Sequence, residues 1–327
     1  MSAITQLPLD HLRRLTGPYG LFEHARFESP RLEHGYTVDD NARAVVLLST
    51  AGLTDLEEYI RYLQFVLSAR SELGWHNRMS AAGVWTDAVG PDDTIGRAFW
   101  ALGAASSAGL DQKQIIEGLD ALSNFTSSYL RANCYALLGA AETMRAGVMV
   151  DAMAAFIAAT CDLVHLAKSR QWPWPESRLT YDNARIPQAL IVAGSALGDD
   201  LMVDRGLGLL EWLVEIETGT NGFSFTPVAG RSLGEKGPAF DQQPLEAWAM
   251  ADACAAAAEV TGHPSWRHAT IEAGMWFHGR NDVGATLFDP ATGAGFDGLH
   301  REGVNQNRGA ESTLSALGAQ FRLDEAR

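Results

Sequence analysis

The sequence predicts an all-α protein, an (α/α)6 toroid built from six helical hairpins. One reason is that segments rich in Ala and Leu, with few β-branched alternations, dominate the chain and are typical of helices. The clearest segments are residues 42–51, 99–108, 184–196 and 245–260. A second reason is that a polar cluster precedes each such segment, and these clusters recur at intervals of roughly 50 residues, a period that indicates repeated helical hairpins.

Two kinds of helix alternate along the chain. The Ala-rich, nearly uncharged segments are expected to be buried on most sides and to form an inner ring. Residues 56–70 and 201–217 are amphipathic with charged faces, which is typical of an outer ring. In such a toroid the inner helices begin at one face, so we expect the polar clusters before them to converge there.

The connecting segments fit this organisation. Residues 219–237 contain Gly222-Phe223-Ser224-Phe225, for which we expect a short hairpin, and residues 281–307 form a long loop rich in Gly and Asp. Loops of that length in a compact domain are usually functional. Because no linker stands out, we expect a single catalytic domain over residues 1–327.

Composition excludes several classes of protein. The 327 residues carry a net charge of −15 and no basic patch, which argues against a nucleic-acid partner. No apolar run of about 18 residues occurs, so no membrane partner is expected. The first 14 residues lack the apolar core of a signal peptide, and the three cysteines suggest no disulfide framework, so we expect a cytoplasmic protein.

The most conspicuous polar cluster lies at residues 38–44. An N-cap explains one Asp, but two adjacent acids followed by Asn and Arg exceed what a cap requires. We therefore place Asp40 in a pool of candidate catalytic carboxylates. Nearby residues are expected to contact substrate: His34, Tyr36, Asp39, Asn41 and Arg43.

A second cluster, at residues 181–185, nearly repeats the first, although duplicated capping also explains the repeat. Just before it, Trp172 and Trp174 alternate with prolines, so they belong to a loop. Indole rings beside acids suit sugar stacking, while a hydrophobic plug closing the barrel is the alternative. Glu176 and Asp182 join the catalytic pool as the acids of this region. The expected substrate contacts are Trp172, Trp174, Tyr181, Asn183 and Arg185.

The remaining clusters add two carboxylates to the pool. Pro244 suits the first turn of a helix, which leaves Asp241 just outside it, facing the mouth. We favour Asp241 over Glu246, since a first-turn acid also serves the helix dipole. Glu311 stands at the start of the last small-residue helix, where the alternative is again a favourable interaction with the helix dipole. The remaining expected substrate contacts are Asp93, Gln242 and Gln243.

Several strings along nearly the whole chain resemble a bacterial carbohydrate-active family with a GY-x-x-DDNARA signature, found alone or fused to glycosyltransferases. The strings are GLFEHA at 20–25, GYTVDDNARA at 35–44, GRA at 96–98, LTYDNAR at 179–185, FDQQP at 240–244 and GAES at 309–312. Residues 91–93 depart from it, being Pro-Asp-Asp where Ser-Glu-Asp is expected. The resemblance implies a six-hairpin glycosidase fold and, from some actinobacterial members, endo-α-mannosidase activity on mannose or methylmannose polysaccharides.

The sequence thus predicts a glycoside hydrolase, in which one carboxylic acid protonates the leaving oxygen and another carboxylate activates water. Toroid hydrolases mostly invert the anomeric centre, so we expect inversion. The histidine spacing forms no metal site, and no Gly-rich phosphate loop is present, so we expect neither metal nor cofactor.

Three other classes are weighed. A sugar epimerase on this toroid would use paired histidines, which lie outside the recurrent clusters, and a polysaccharide lyase would give an ultraviolet-absorbing product. A non-catalytic glycan-binding toroid would need the aromatic rings but not the acids. A terpene cyclase is disfavoured because Arg43 stands where its Asp-rich motif needs an acid.

Overall fold

The computed structural model describes residues 7–110, 112–164, 169 and 171–327, which are mainly helical. The α-helices are α1 (Asp10–Leu15), α2 (Val38–Thr50), α3 (Glu57–Ser68), α4 (Asp92–Ala105), α5 (Gln112–Leu122), α6 (Leu130–Arg145), α7 (Val150–Cys161), α8 (Arg185–Leu197), α9 (Asp200–Glu217), α10 (Pro244–Thr261), α11 (Pro264–Met275) and α12 (Ala310–Ala326). A 3-10 turn spans Leu32–His34. Among the described helices, none combines the length and the apolar character that a membrane span requires.

The strands are two-residue pieces that form six antiparallel pairs in the described part of the chain. They are β1 (Ala25–Arg26), β2 (Ser29–Pro30), β3 (Tyr36–Thr37), β4 (Arg70–Ser71), β5 (Gly74–Trp75), β6 (Arg78–Met79), β7 (Thr218–Gly219), β8 (Gly222–Phe223), β9 (Phe288–Asp289), β10 (Ala294–Gly295), β11 (Leu299–His300) and β12 (Gly303–Val304). The β7–β8 pair confirms the hairpin expected at Gly222-Phe223, and the long loop 281–307 contains two further hairpins.

The helices form the predicted (α/α)6 toroid. The even-numbered helices α2 to α12 pack side by side in chain order, and α12 contacts α2, which closes the inner ring. Helices α3, α5, α7, α9 and α11 lie outside it, and the short α1 packs against α12. Each inner helix begins at or beside a predicted polar cluster, so the clusters converge at one face as expected.

Small residues let the inner helices approach each other closely. A Cβ at Gly103 of α4 would lie 2.1 Å from the carbonyl oxygen of Gly139 of α6. A Cβ at Gly139 would in turn lie 2.5 Å from the carbonyl oxygen of Phe99. The backbones therefore touch, and this contact explains why the inner helices are rich in Gly and Ala.

A chain of buried ion pairs runs through the middle of the ring. Arg97 of α4 contacts Asp182 at 3.3 Å, and Asp182 contacts Arg185 of α8 at 3.4 Å. Arg185 contacts Asp252 of α10 at 2.6 Å, and Asp252 contacts Arg322 of α12 at 2.7 Å. Buried charges are tolerated only when paired in this way.

The remaining two inner helices, α2 and α6, contribute side chains to the same series of buried interactions. Tyr135 of α6 donates its hydroxyl hydrogen to Asp182 at 2.7 Å and accepts a hydrogen bond from Arg97. Asp39 of α2 lies 3.6 Å from Nε of Arg97. Every inner helix therefore contributes at least one side chain to this axial chain.

The close approach of α4 and α6 gives a testable expectation. Gly103→Ala should lower the free energy of unfolding by about 1–3 kcal/mol or more, because the new methyl group meets backbone that cannot yield easily. Gly208→Ala is the matched control, since Gly208 is an exposed residue of α9 with nothing near its Cβ position. The control should gain up to about 1 kcal/mol from helix propensity. Equal unfolding midpoints in urea for the two variants would contradict the proposed backbone contact.

Candidate active site

A cavity of about 380 Å³ opens where the inner helices begin. Its walls come from the starts of α2, α10 and α12, from residues 23–24 and 77–78, and from the long loop 281–307. Seven of its fourteen lining residues are Asp, Glu or Arg. The residues are Glu23, His24, Thr37, Asp39, Asp40, Arg43, Asn77, Arg78, Pro244, Asp297, Asn305, Gly309, Glu311 and Ser312.

Asp40 lies in the first turn of α2 and lines the cavity. Its backbone N–H donates to Oγ1 of the N-cap Thr37 at 3.2 Å, and the Thr37 hydroxyl donates to Oδ2 of Asp40 at 2.7 Å. Thr37 is therefore the N-cap residue of α2, and the Asp40 carboxylate accepts the Thr37 hydroxyl hydrogen and not a backbone N–H. Asp40 is only 4% exposed, and burial raises its pKa to about 7 despite the Arg43 charge and the Thr37 hydrogen bond.

Arg43 joins two of the five candidate carboxylates. Its Nη1 lies 3.0 Å from Oδ1 of Asp40, and its Nη2 lies 2.7 Å from Oε2 of Glu311. The Glu311 side chain is 38% exposed, whereas that of Asp40 is 6% exposed. One guanidinium therefore holds a buried and an accessible carboxyl group on the same cavity.

Other charged residues of the cavity were missed as candidates by sequence reasoning. Arg78 makes a bidentate pair with Glu23 at 2.8 and 2.9 Å. Oδ1 of Asp297 accepts hydrogen bonds from the Gly309 N–H, at 2.7 Å, and from the Ser312 hydroxyl. Two features of the sequence could have indicated them, because Glu23 lies in the GLFEHA string and Asp297 lies in the long loop.

Asp182 is enclosed in the axial ion-pair chain, which corrects its placement in the catalytic pool. It is 3% exposed, and it does not line the cavity that holds Asp40. Burial raises its pKa, but the guanidinium groups of Arg185 and Arg97 outweigh burial, so the net pKa is lowered. Arg97, Arg185 and Tyr135 surround this carboxylate, so its contacts are with the ion-pair chain and not with the first cavity.

Glu246, the acid disfavoured at the start of α10, anchors the chain before α8. Its carboxylate oxygens accept hydrogen bonds from the backbone N–H groups of Asp182 and Asn183. Burial raises its pKa well above the ordinary value, and the neighbouring Glu217 and Asp182 carboxylates raise it further.

Glu176 lines a second cavity, of about 440 Å³. It pairs with Arg131 at 2.8 Å and accepts a hydrogen bond from Nε1 of Trp174 at 3.3 Å. The exposed rings of Tyr129 and Tyr181 line the same cavity. Because the cavity adjoins the starts of α6 and α8, it opens at the same face as the first one.

Asp241 lines neither of these two cavities. Its side chain is 55% exposed and contacts Nδ1 of His300. It is not among the residues that line the first cavity, although Pro244 of the same segment is. The fold thus places Asp40 and Glu311 together and leaves the other three pool acids elsewhere.

The expected aromatic contacts are mostly part of the core. Trp174 is fully buried and stacks on Trp212 with ring centroids 5.9 Å apart. Trp172 packs edge-on against Trp212 at 5.2 Å, and Tyr36 is fully buried and stacks on Phe22. Trp174 and Tyr36 therefore belong to the core, which corrects the expected sugar stacking by Trp174 and the expected substrate contact by Tyr36. Tyr181 alone of these four has an exposed ring, and its hydroxyl donates to Asp93 at 2.6 Å.

Four of the expected polar contacts are also structural, which corrects their assignment. Asn41 ties the start of α2 to the Leu21 N–H, and Asn183 accepts hydrogen bonds from the Thr180 N–H and from Arg131. Arg185 lies between the rings of Trp100 and Trp248, and Gln242 donates to Asp282. All four are at most 2% exposed: Asn41, Asn183, Arg185 and Gln242. Gln243 is the N-cap residue of α10 and is half-buried.

The fold brings two of the histidines together. His34 packs edge-on against His24, with ring centroids 4.7 Å apart, beside Glu23. Among the described residues, these three form a group whose ligand atoms are close enough to hold a metal ion.

Solved structures of similar fold act on carbohydrates. A sugar epimerase from a ruminal bacterium matches with a TM-score of 0.71 and 12% identity, covering 99% of this chain and 96% of the other. Cellobiose 2-epimerase from Bacillus thermoamylovorans matches with a TM-score of 0.71 and 10% identity, over 97% and 95% of the two chains. The GH76 alpha-mannanase from Bacteroides thetaiotaomicron matches with a TM-score of 0.60 and 11% identity, over 88% and 86%. At these identities the likeness shows the fold alone.

Comparison of the sequence with protein-family models and with curated proteins finds no match. The resemblance to the GY-x-x-DDNARA family therefore stays a prediction.

The raised pKa of Asp40 predicts a pH-dependent contribution to stability. The folded protein keeps a proton up to pH about 7 that the unfolded chain releases near pH 4, so raising the pH between these values destabilises the fold. We expect wild-type protein to lose stability relative to Asp40→Asn over this range, by at most about 1.4 kcal/mol per pH unit. Urea unfolding of both proteins at several pH values measures it, with the exposed Asp241→Asn as control. A wild-type-to-variant difference that stays constant with pH would refute the raised pKa.

Proposed function

We propose that the protein is a glycoside hydrolase and that the reaction occurs in the cavity shared by Asp40 and Glu311. The observation that carries the proposal is the Arg43 guanidinium, which holds a buried and an exposed carboxyl group on one cavity. Hydrolysis of a glycosidic bond requires such a pair with different tasks. Different environments are the usual means by which two carboxyl groups acquire an acid role and a base role.

Asp40 is the proposed general acid. A pKa of about 7 keeps a large share of this carboxyl group protonated near neutral pH, so it has a proton to give to the leaving oxygen. Glu311 is the proposed general base, because its more exposed carboxylate has room for the attacking water. The water gives its proton to Glu311 as its oxygen bonds to the anomeric carbon, and the bond to the leaving oxygen breaks with inversion.

The remaining charged groups of the cavity are proposed to bind sugar hydroxyls. Asp39, Asp297 and Arg78 line the cavity with Asn305, so donors and acceptors surround the proposed reaction centre. Sugars are recognised by such polar groups, because each hydroxyl both donates and accepts a hydrogen bond. Of the substrate contacts expected from the sequence, Asp39 and Arg43 line this cavity.

The proposed substrate is an α-linked oligo- or polysaccharide, with a mannose or methylmannose polymer as the first choice. The family resemblance supports this choice, as does the similarity in fold to an α-mannanase. The second cavity supports endo action on a longer chain. Tyr181, whose ring lines that cavity, also donates its hydroxyl hydrogen to Asp93 at the start of α4, so the proposed substrate contacts extend across the face.

Sugar epimerisation is the second candidate, because two structural neighbours that match with a TM-score of 0.71 are epimerases. Two bases that act on opposite faces of one carbon must lie on either side of the sugar. The ring centroids of His24 and His34 are 4.7 Å apart, which leaves no room for a sugar between them. The carboxylate pair is therefore favoured over this histidine pair.

Isosteric substitutions test the carboxylate pair. Asp40→Asn and Glu311→Gln should each lower kcat on α-mannoside oligosaccharides by about 100-fold or more, because each removes one proton transfer. Asp241→Asn is the matched control, being an exposed carboxylate outside the cavity, and should keep wild-type activity. Wild-type kcat/KM should fall as the pH rises above about 7, when Asp40 loses its proton.

Mass spectrometry of the products separates the outcomes. Hydrolysis adds one water to the products, whereas lyase cleavage adds none and epimerisation leaves the mass unchanged. If both amide variants hydrolyse as fast as the control, this carboxylate pair is not the catalytic one. Binding of a glycan without any turnover by the wild-type protein would instead favour a non-catalytic glycan-binding toroid.

A further inference from the structure

The chain turns back on itself at the edge of the first cavity and brings three potential metal ligands together. Glu23 and His24 precede β1, and the β1–β2 hairpin then reverses the chain, with the Arg31 N–H donating to the His24 carbonyl oxygen at 2.8 Å. The 3-10 turn that follows ends at His34. Residues ten positions apart in the sequence thus become neighbours.

The geometry of the three side chains is close to that of a metal site. Nε2 of His24 lies 3.6 Å from Oε1 of Glu23, and the ligand atoms of Glu23, His24 and His34 all lie within 4.8 Å of one another. Two ligands of a tetrahedral zinc ion, each about 2.0–2.1 Å from the metal, are separated by a little more than 3 Å. Small side-chain rotations therefore suffice to enclose an ion.

His34 carries a second, independent signal. Its Nε2 is buried and has no hydrogen-bond partner in the described part of the structure. A buried polar atom without a partner is unfavourable, and a bound ion is one of its ordinary explanations. A metal ion would satisfy the lone pair of this nitrogen in its neutral form.

Glu23 can bind a metal ion without releasing Arg78. Its two oxygens accept hydrogen bonds from Arg78 at 2.8 and 2.9 Å, but a carboxylate has about four lone-pair sites. Arg78 then fixes the orientation of the carboxylate, as outer partners of metal ligands commonly do.

We propose that Glu23, His24 and His34 bind one divalent transition-metal ion, with Zn²⁺ as the best fit. Two imidazoles and a carboxylate suit Zn²⁺ or Co²⁺, whereas Ca²⁺ and Mg²⁺ prefer oxygen ligands. Three protein ligands leave a fourth coordination position for water. Because Glu23 and His24 line the cavity, the ion lies at its rim, beside the proposed reaction centre.

Direct titration tests the site without any sugar. The full chain, stripped with EDTA, is titrated with Co²⁺ while visible absorption is recorded, and then with Zn²⁺ as competitor. We expect one ion per chain and a cobalt band that Zn²⁺ removes. His24→Ala and His34→Ala should each weaken binding by no less than the roughly 10- to 100-fold loss that removal of an outer partner causes.

His268→Ala is the matched control, because His268 is an exposed histidine of α11 whose side chain is 74% exposed. It should bind Co²⁺ as the wild-type protein does. His24 is itself half exposed, so its substitution leaves the core intact and remains informative if His34→Ala fails to fold. Absence of the cobalt band, or equal affinity in His24→Ala and His268→Ala, would overturn the proposal. Neither result tests the proposed catalytic carboxylate pair, because the titration contains no glycan.

Discussion

The chain of buried ion pairs along the toroid axis is the interaction on which the rest of the structure depends. It runs from Asp39 through Arg97, Asp182, Arg185 and Asp252 to Arg322, and Tyr135 joins it by hydrogen bonds, so each inner helix contributes a side chain. An unpaired charge at such depth would cost several kcal/mol, so the partners must meet. The pairing of these side chains fixes the rotation of each inner helix about its own axis and its position along the toroid axis.

The position of the proposed active site follows from that constraint. Once the inner helices begin at one face, the polar residues that start them are gathered there. Thr37 and Asp40 illustrate the consequence, because both line the cavity while the Thr37 hydroxyl oxygen also caps α2. The ring around them excludes water from Asp40, and this burial raises its pKa. The fold thus supplies the protonation state that the proposed chemistry uses.

The fold was predictable from the sequence because its signals are local. Small residues, caps and the spacing of the polar clusters are properties of short segments, and they located all six inner helices. The choice among the candidate carboxylates depends on contacts between residues that are distant in the sequence. Asp40 and Asp182 occupy nearly identical Asp-Asn-Ala-Arg strings, yet the first lines the cavity and the second is enclosed between Arg97 and Arg185.

Long-range partners explain the other differences between expectation and structure. The rings of Trp172 and Trp174 meet Trp212, which lies about one helix further along the chain, so sequence could not distinguish a sugar platform from a plug. The Glu23, His24 and His34 cluster was missed because its spacing matches no metal motif and depends on the β1–β2 reversal.

A crystal structure of the Asp40→Asn variant with a bound α-mannoside oligosaccharide tests the central claim most directly. The account predicts that a glycosidic oxygen lies within hydrogen-bond distance of the residue 40 side chain. It also predicts that Glu311 holds a water on the opposite side of the anomeric carbon. An oligosaccharide bound only in the cavity of Glu176, with the cavity of Asp40 and Glu311 free of sugar, would contradict it.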